Sequence, residues 1–215
     1  EEEVNQLPEV PNIKSAIGKP KITIEDSKRG WADSVKTLMD SLYNGQNIYF
    51  NYDDIRKEGA RLMTMGGRAS GPQPLVKLHD FIREIMHCAQ GRKLTTLEAH
   101  DICNQIAEIV VVGGVRRSSQ ISLSDLNDEM MRHAKDWPYP IKRAMANNSA
   151  IYREHPTAAE FLREWAALAL SGTGERGIFN LQAAQNRAPT RRYAPLIQGT
   201  NPCGEIMLRD MEFCN

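Results

Sequence analysis

The sequence lacks long apolar runs: stretches such as Ile109–Val112 fall far below the roughly 20 residues that a bilayer-crossing helix needs. It also lacks an excess of either charge, with 27 basic against 27 acidic side chains. A broad phosphate-binding surface needs such an excess, so direct nucleic-acid binding is excluded as the main role. Cysteine is sparse and scattered, at 88, 103, 203 and 214, with no Cys-x-x-Cys pair. A secreted disulfide scaffold and a zinc ribbon are excluded by that pattern. The acidic start Glu1-Glu2-Glu3 is the opposite of a signal peptide's basic end. A cytoplasmic location without membrane contact is expected. There is no initiating methionine, and the chain stops at Asn215 just after a motif-dense stretch. It reads as a piece of something longer, because 215 residues hold a core but are short for an enzyme built on a large barrel.

What is there is mostly periodic. Residues 1–20 hold Pro8, Pro11 and Pro20 and read as an extended, loosely packed lead-in. Trp31, Val35, Leu38 and Leu42 form one helical stripe in the segment Gly30–Tyr43, with Asp26 and Ser27 where its N-terminus begins. Ile48, Phe50 and Tyr52 alternate as in a half-buried strand. A second helix is predicted over 73–89, and Thr95 with Glu98 forms a capping box for a third. After a turn at Gly113-Gly114, strands are predicted over 118–124 and 149–152. Thr157 with Glu160 opens another helix through Phe161, Trp165 and Leu168, and short buried strands are predicted over 177–180 and 205–208. Helices alternating with strands point to an α/β fold.

The densest chemistry lies in Asn201-Pro202-Cys203-Gly204-Glu205-Ile206, with Cys214 eleven residues after Cys203. Were the turn to continue as a strand, residues two apart would share a side. Asn201, Cys203 and Glu205 would then offer one substrate a hydrogen-bonding amide, a thiol and a proton acceptor. Taken alone, the same residues describe a tight turn with a small buried cysteine and a surface charge.

Five blocks in order decide between the two. They are Asp26-Ser27-Lys28-Arg29-Gly30-Trp31, Gly66-Gly67-Arg68-Ala69-Ser70-Gly71-Pro72, Gly113-Gly114-Val115-Arg116-Arg117-Ser118-Ser119, Gly174-Glu175-Arg176-Gly177-Ile178-Phe179-Asn180, and Asn201 to Ile206. Together they resemble the ribonucleotide reductases, most closely the monomeric adenosylcobalamin-dependent (class II) ribonucleoside-triphosphate reductases. The resemblance implies part of the ten-stranded α/β barrel of the thiyl/glycyl radical enzyme fold, incomplete here, with outer helices. Within it, 21–125 would be an effector or specificity region and 126–215 a barrel segment ending in the cysteine loop.

The resemblance also implies roles. Cys203 matches the cysteine whose thiyl radical takes hydrogen from C3′ of the ribose, Glu205 the base for the 3′ hydroxyl, and Asn201 the residue that holds the ribose hydroxyls. Cys214 matches the downstream member of the reducing pair, whose upstream partner would precede residue 1. Arg68 and Ser70 match positions for effector phosphates and sugar, and Asp26 and Ser27 positions near its ribose and base. Arg116 and Arg117 match a loop between effector and substrate. Implied partners are a ribonucleoside triphosphate, a deoxynucleoside triphosphate effector and thioredoxin or a similar dithiol, with adenosylcobalamin as the radical source.

Two rival readings are a reductase fed by an iron-containing partner subunit and a nucleotide-binding regulatory module without chemistry. Joint presence of Asn201, Cys203, Glu205 and Cys214 argues against the second. Cys88 and Cys103, on apolar helices, read as core packing. The five histidines show no metal-ligand spacing.

Overall fold

The computed structural model describes residues 2–15, 21–62, 66–112, 115–116, 118–191 and 193–214. It divides into two compact units, Glu2–Ser118 and Ser119–Asn215.

The first unit contains, in chain order, α1 (Glu2–Asn5), β1 (Lys14–Ser15), β2 (Ile22–Thr23), α2 (Lys28–Tyr43), β3 (Gln46–Asn47), β4 (Phe50–Asn51), α3 (Gln73–Cys88), α4 (Thr96–Glu108), β5 (Val111–Val112) and β6 (Val115–Arg116). Two of its three long helices, α2 and α4, start where the capping chemistry predicts, whereas α3 begins behind Pro72 without a side-chain cap. The Ser27 hydroxyl accepts from the Gly30 amide at 2.9 Å, and Thr95 and Glu98 form the reciprocal box at the head of α4. The apolar stripes meet in one core. Leu38 and Leu42 of α2 pack there with Leu75, Leu78, Ile82 and Met86 of α3, all fully buried.

Three expectations change in this unit. Val10 is completely buried in the same core, and its amide donates to the Arg92 carbonyl at 2.9 Å. The lead-in is therefore partly built into the unit, because an apolar side chain in an extended segment gains by burial even without periodic neighbours. The single strand expected around Phe50 is two short ones. β3 pairs in parallel with β1, and β4 in parallel with β2. Cys88 and Cys103 are exposed and stand outside the buried core, although desolvation still pushes the Cys103 thiol up.

The second unit is built on a parallel sheet of β7 (Gln120–Ser124), β8 (Ala146–Tyr152) and β9 (Gly177–Asn180), in that order. α5 (Glu129–Arg132) lies between β7 and β8, and α6 (Ala158–Ser171) between β8 and β9. α7 (Leu181–Asn186) follows, then β10 (Gly199–Thr200) and β11 (Met207–Leu208). β7 belongs with this unit because all five of its residues are in register with β8. Ile151, Leu181 and Ile197 form the buried center, with Leu123, Phe179 and Met207 packed against it.

The short strands expected to be buried are half-buried over 177–180, and the last one is confined to Met207–Leu208. α6 begins with the predicted capping box, yet Glu164 is its only fully buried residue. Among the described residues, no helix is long and apolar enough to cross a membrane.

Candidate functional site

β10 and β11 are antiparallel, with Gly199 opposite Leu208 and Thr200 opposite Met207. The motif Asn201–Ile206 is therefore the loop of a hairpin rather than the continuing strand considered from the sequence. Residues 201–204 make a β-turn: the Gly204 amide donates to the Asn201 carbonyl at 3.0 Å. Pro202 stands at its second position, where a fixed φ is favourable. Gly204 has φ +85°, a conformation costly for any side chain.

Asn201 organises the loop from inside. Its side chain is 1% exposed. Its Oδ1 accepts from the Ile206 amide at 3.0 Å, and its Nδ2 donates to Glu205 Oε1 at 2.8 Å. A buried amide using both ends in this way fixes the carboxylate it touches. Cys203 stands exposed at the turn, as a free thiol, and Glu205 is exposed beside it. Of the three residues expected to converge, Asn201 and Glu205, four apart, are brought into contact by the turn, while Cys203 stands exposed at the turn's third position. Cys214 is also a free, exposed thiol. From the sheet, Asn147 Nδ2 on β8 donates to the Pro202 carbonyl at 2.7 Å.

The first unit holds a second candidate site, a mostly apolar cavity of about 1010 Å³. Asp26, Ser27 and Ser70 line it, joined by Trp31, Val35, Leu78, Ile106 and Ile109. Sequence reasoning missed Arg56, which also lines it. Arg56 Nε donates to Asp26 Oδ2 at 2.7 Å, a contact between residues 30 apart that no local pattern announces. Lys28 and Arg29, also lining residues, stood in a quoted block without a role. Gly30 has a steric reason to be glycine: a Cβ there would lie 2.3 Å from the Glu25 carbonyl oxygen, so the turn before α2 packs directly on its first turn.

The remaining effector candidates are placed differently. Arg68 is not among the residues lining the cavity; its Nη1 donates to the Gly59 carbonyl at 2.9 Å. The backbone of Arg116 lies in β6, paired with Val111. Arg117 and the Gly113-Gly114 turn lie outside the described residues. Among the described residues, no group of three or more His, Cys, Asp or Glu side chains is arranged to hold a metal.

Known proteins resemble this chain along most of its length. Residues 15–86 match the family model of the B12-dependent ribonucleotide reductase insertion domain. The chain is 34% identical over 210 residues to the adenosylcobalamin-dependent ribonucleoside-triphosphate reductase of Lactobacillus gasseri. It is 32% identical over 214 residues to the reductase of the same name from Lactobacillus leichmannii. Each match covers 89% of this chain, which spans 27% of the curated relative's length. A crystal structure of a B-12 dependent (class II) ribonucleotide reductase matches in fold with a TM-score of 0.79 at 24% identity, over 97% of this chain and 34% of that one. In sequence and in fold, then, this chain is a relative of the B12-dependent ribonucleotide reductases.

Proposed function

We propose that the protein carrying this chain reduces ribonucleoside triphosphates to 2′-deoxyribonucleoside triphosphates with adenosylcobalamin as radical source, supplying DNA precursors. The observation that carries this reading is the hairpin, in which a buried Asn201 holds Glu205 at 2.8 Å beside the exposed thiol of Cys203. The relatives' names supply the chemistry that this arrangement fits.

Cys203 is the residue of this chain suited to a radical cofactor, because an exposed S–H at a turn gives up a hydrogen atom without disturbing a packed core. Adenosylcobalamin, when bound, supplies a carbon-centered radical by homolysis of its cobalt–carbon bond. Cys203 Sγ, as a thiyl radical, takes the hydrogen atom from C3′ of the ribose. Glu205 accepts the 3′ hydroxyl proton, made more acidic by the neighbouring radical center. Asn201 keeps Glu205 oriented. The 2′ hydroxyl leaves as water, a dithiol supplies two electrons and two protons while becoming a disulfide, and Cys203 then returns the hydrogen atom to C3′, regenerating its thiyl radical, as Glu205 returns its proton to the 3′ oxygen. Cys214 is proposed as one member of that dithiol, regenerated by thioredoxin or a similar reductant.

The cavity is proposed as the effector site for a deoxynucleoside triphosphate. Its apolar wall suits a base. Arg56, Lys28 and Arg29 suit phosphate oxygens, since guanidinium and ammonium groups bind them in charge-assisted hydrogen bonds.

The test is turnover by the complete natural chain with and without added adenosylcobalamin. Dependence on the cofactor is expected, together with complete loss of ribonucleotide reduction in Cys203→Ala and effector binding near that of the parent. Reduction by that variant, or a requirement for iron and a second subunit, would overturn the assignment.

A further inference from the structure

The turn that presents Cys203 has a known weakness. In a four-residue β-turn, the central peptide, here Pro202–Cys203, can face either way. The two orientations correspond to type I and type II turns, and type II requires positive φ at the third position. That position is Cys203, a residue with a Cβ, for which positive φ is unfavourable. Among the described residues, Met211 is the only non-glycine with positive φ, so the turn holds the first orientation. Rotation of this one peptide would reorient the Cα–Cβ bond of Cys203 and re-aim its sulfur.

The Pro202 carbonyl, the oxygen that moves in such a rotation, is the group that Asn147 Nδ2 holds at 2.7 Å. Asn147 reaches it across 55 residues of sequence, from β8, the middle strand of the sheet. The bonds within the hairpin do not do this work. They join Asn201 to Gly204, Glu205 and Ile206, and Thr200 to Ile206, leaving the central peptide oriented by turn sterics alone. Asn147 is itself exposed, so its side chain is not needed to fill a core. The next residue, Asn148, is buried, as alternation along a strand requires.

We propose that Asn147 is a positioning residue for the reaction: its side-chain amide clamps the peptide before Cys203 and so fixes the direction of the reactive sulfur. This rests on the assignment of Cys203 as the radical-bearing cysteine.

The experiment uses the complete natural chain and compares Asn147→Ala, Asn147→Asp and Asn147→Gln. Asp has the shape of Asn but no N–H to donate; Gln keeps the donor. Amide hydrogen exchange at Gly204 is expected to rise at least about tenfold in the Ala and Asp variants and to return toward the parent value in the Gln variant. Exchange in the β7–β8 ladder should not change. Turnover number should fall at least about tenfold in Ala and Asp, with KM for the nucleotide within about twofold, because the reacting atom is misdirected while binding is kept. Unchanged exchange at Gly204 in Asn147→Asp would overturn the clamp. Raised exchange with undiminished turnover would overturn its role in positioning. The exchange measurement does not depend on catalysis, so retained reduction by Cys203→Ala would remove the proposed function while leaving the clamp standing.

Discussion

His79 is fully buried beneath α2 and β4, yet both ring nitrogens are engaged. Ser34 Oγ donates to the Trp31 carbonyl at 2.7 Å and lies 3.2 Å from His79 Nε2. With that hydroxyl proton committed, Nε2 must be the protonated nitrogen and Ser34 the acceptor. The Tyr52 hydroxyl, 2.8 Å from Nδ1, then donates to the bare nitrogen. A second proton would put two donors face to face. Burial, with the nearby Arg83 charge adding to it, lowers the His79 pKa from 6.5 to about 4. Because the unfolded chain takes up this proton first, the contribution is fully present above about pH 6.5 and is lost as pH falls toward 4. The expected loss is up to about 3 kcal/mol. Urea unfolding at pH 7 and pH 4.5 should show it, and His79→Gln should flatten that pH dependence. An unchanged slope would refute the assignment.

At the scale of elements, one carboxylate ties together four pieces of the second unit. Glu164 of α6 accepts from Arg176 Nε and Nη2, both at 3.2 Å, and from Arg132 at the end of α5. Arg176 reaches on to Ser124 Oγ of β7 at 2.9 Å and stands immediately before β9. The side chains of Glu164 and Arg176 are each 2% exposed. Burial pushes the Glu164 carboxyl up, but the guanidinium groups of Arg176 and Arg132 outweigh it and hold it below the usual range. Glu164→Ala would leave two buried cations short of their acceptor, a loss of about 3–5 kcal/mol in chemical denaturation. A loss below about 1 kcal/mol would show that the pair is replaceable. None of this was legible beforehand. Ser27, Thr95 and Thr157 announce their helices because capping is a contact over three residues. Arg176 stood in a recognisable block, but its partner 12 residues away is specified only by the fold. The same holds for Arg56 on Asp26, whereas the hairpin residues stand in one recognisable sequence block, whose local pattern suggested a continuing strand rather than the loop of a hairpin.

Across the whole molecule, the two units carry separate centers, Leu38 to Met86 in one and Ile151, Leu181 and Ile197 in the other. The cavity belongs to the first and the cysteine hairpin to the second. Ile82 is fully buried in the first core, so Ile82→Ala should cost about 2–5 kcal/mol of that unit's stability. Amide exchange should then rise across α2 and α3 while β8 stays protected. Equal loss of protection in β8 would show that the units unfold as one.

The burial pattern of α6 has a consequence for how that helix opens. Phe161, Leu162, Trp165 and Leu170 already face solvent, and the fully buried group is a charge. Lifting α6 away would uncover little new apolar surface, and denaturants act in proportion to the surface an opening uncovers. Its detachment would therefore respond weakly to urea and show a small heat-capacity change, in contrast to the steep cooperative melting of the leucine-lined helices of the first unit.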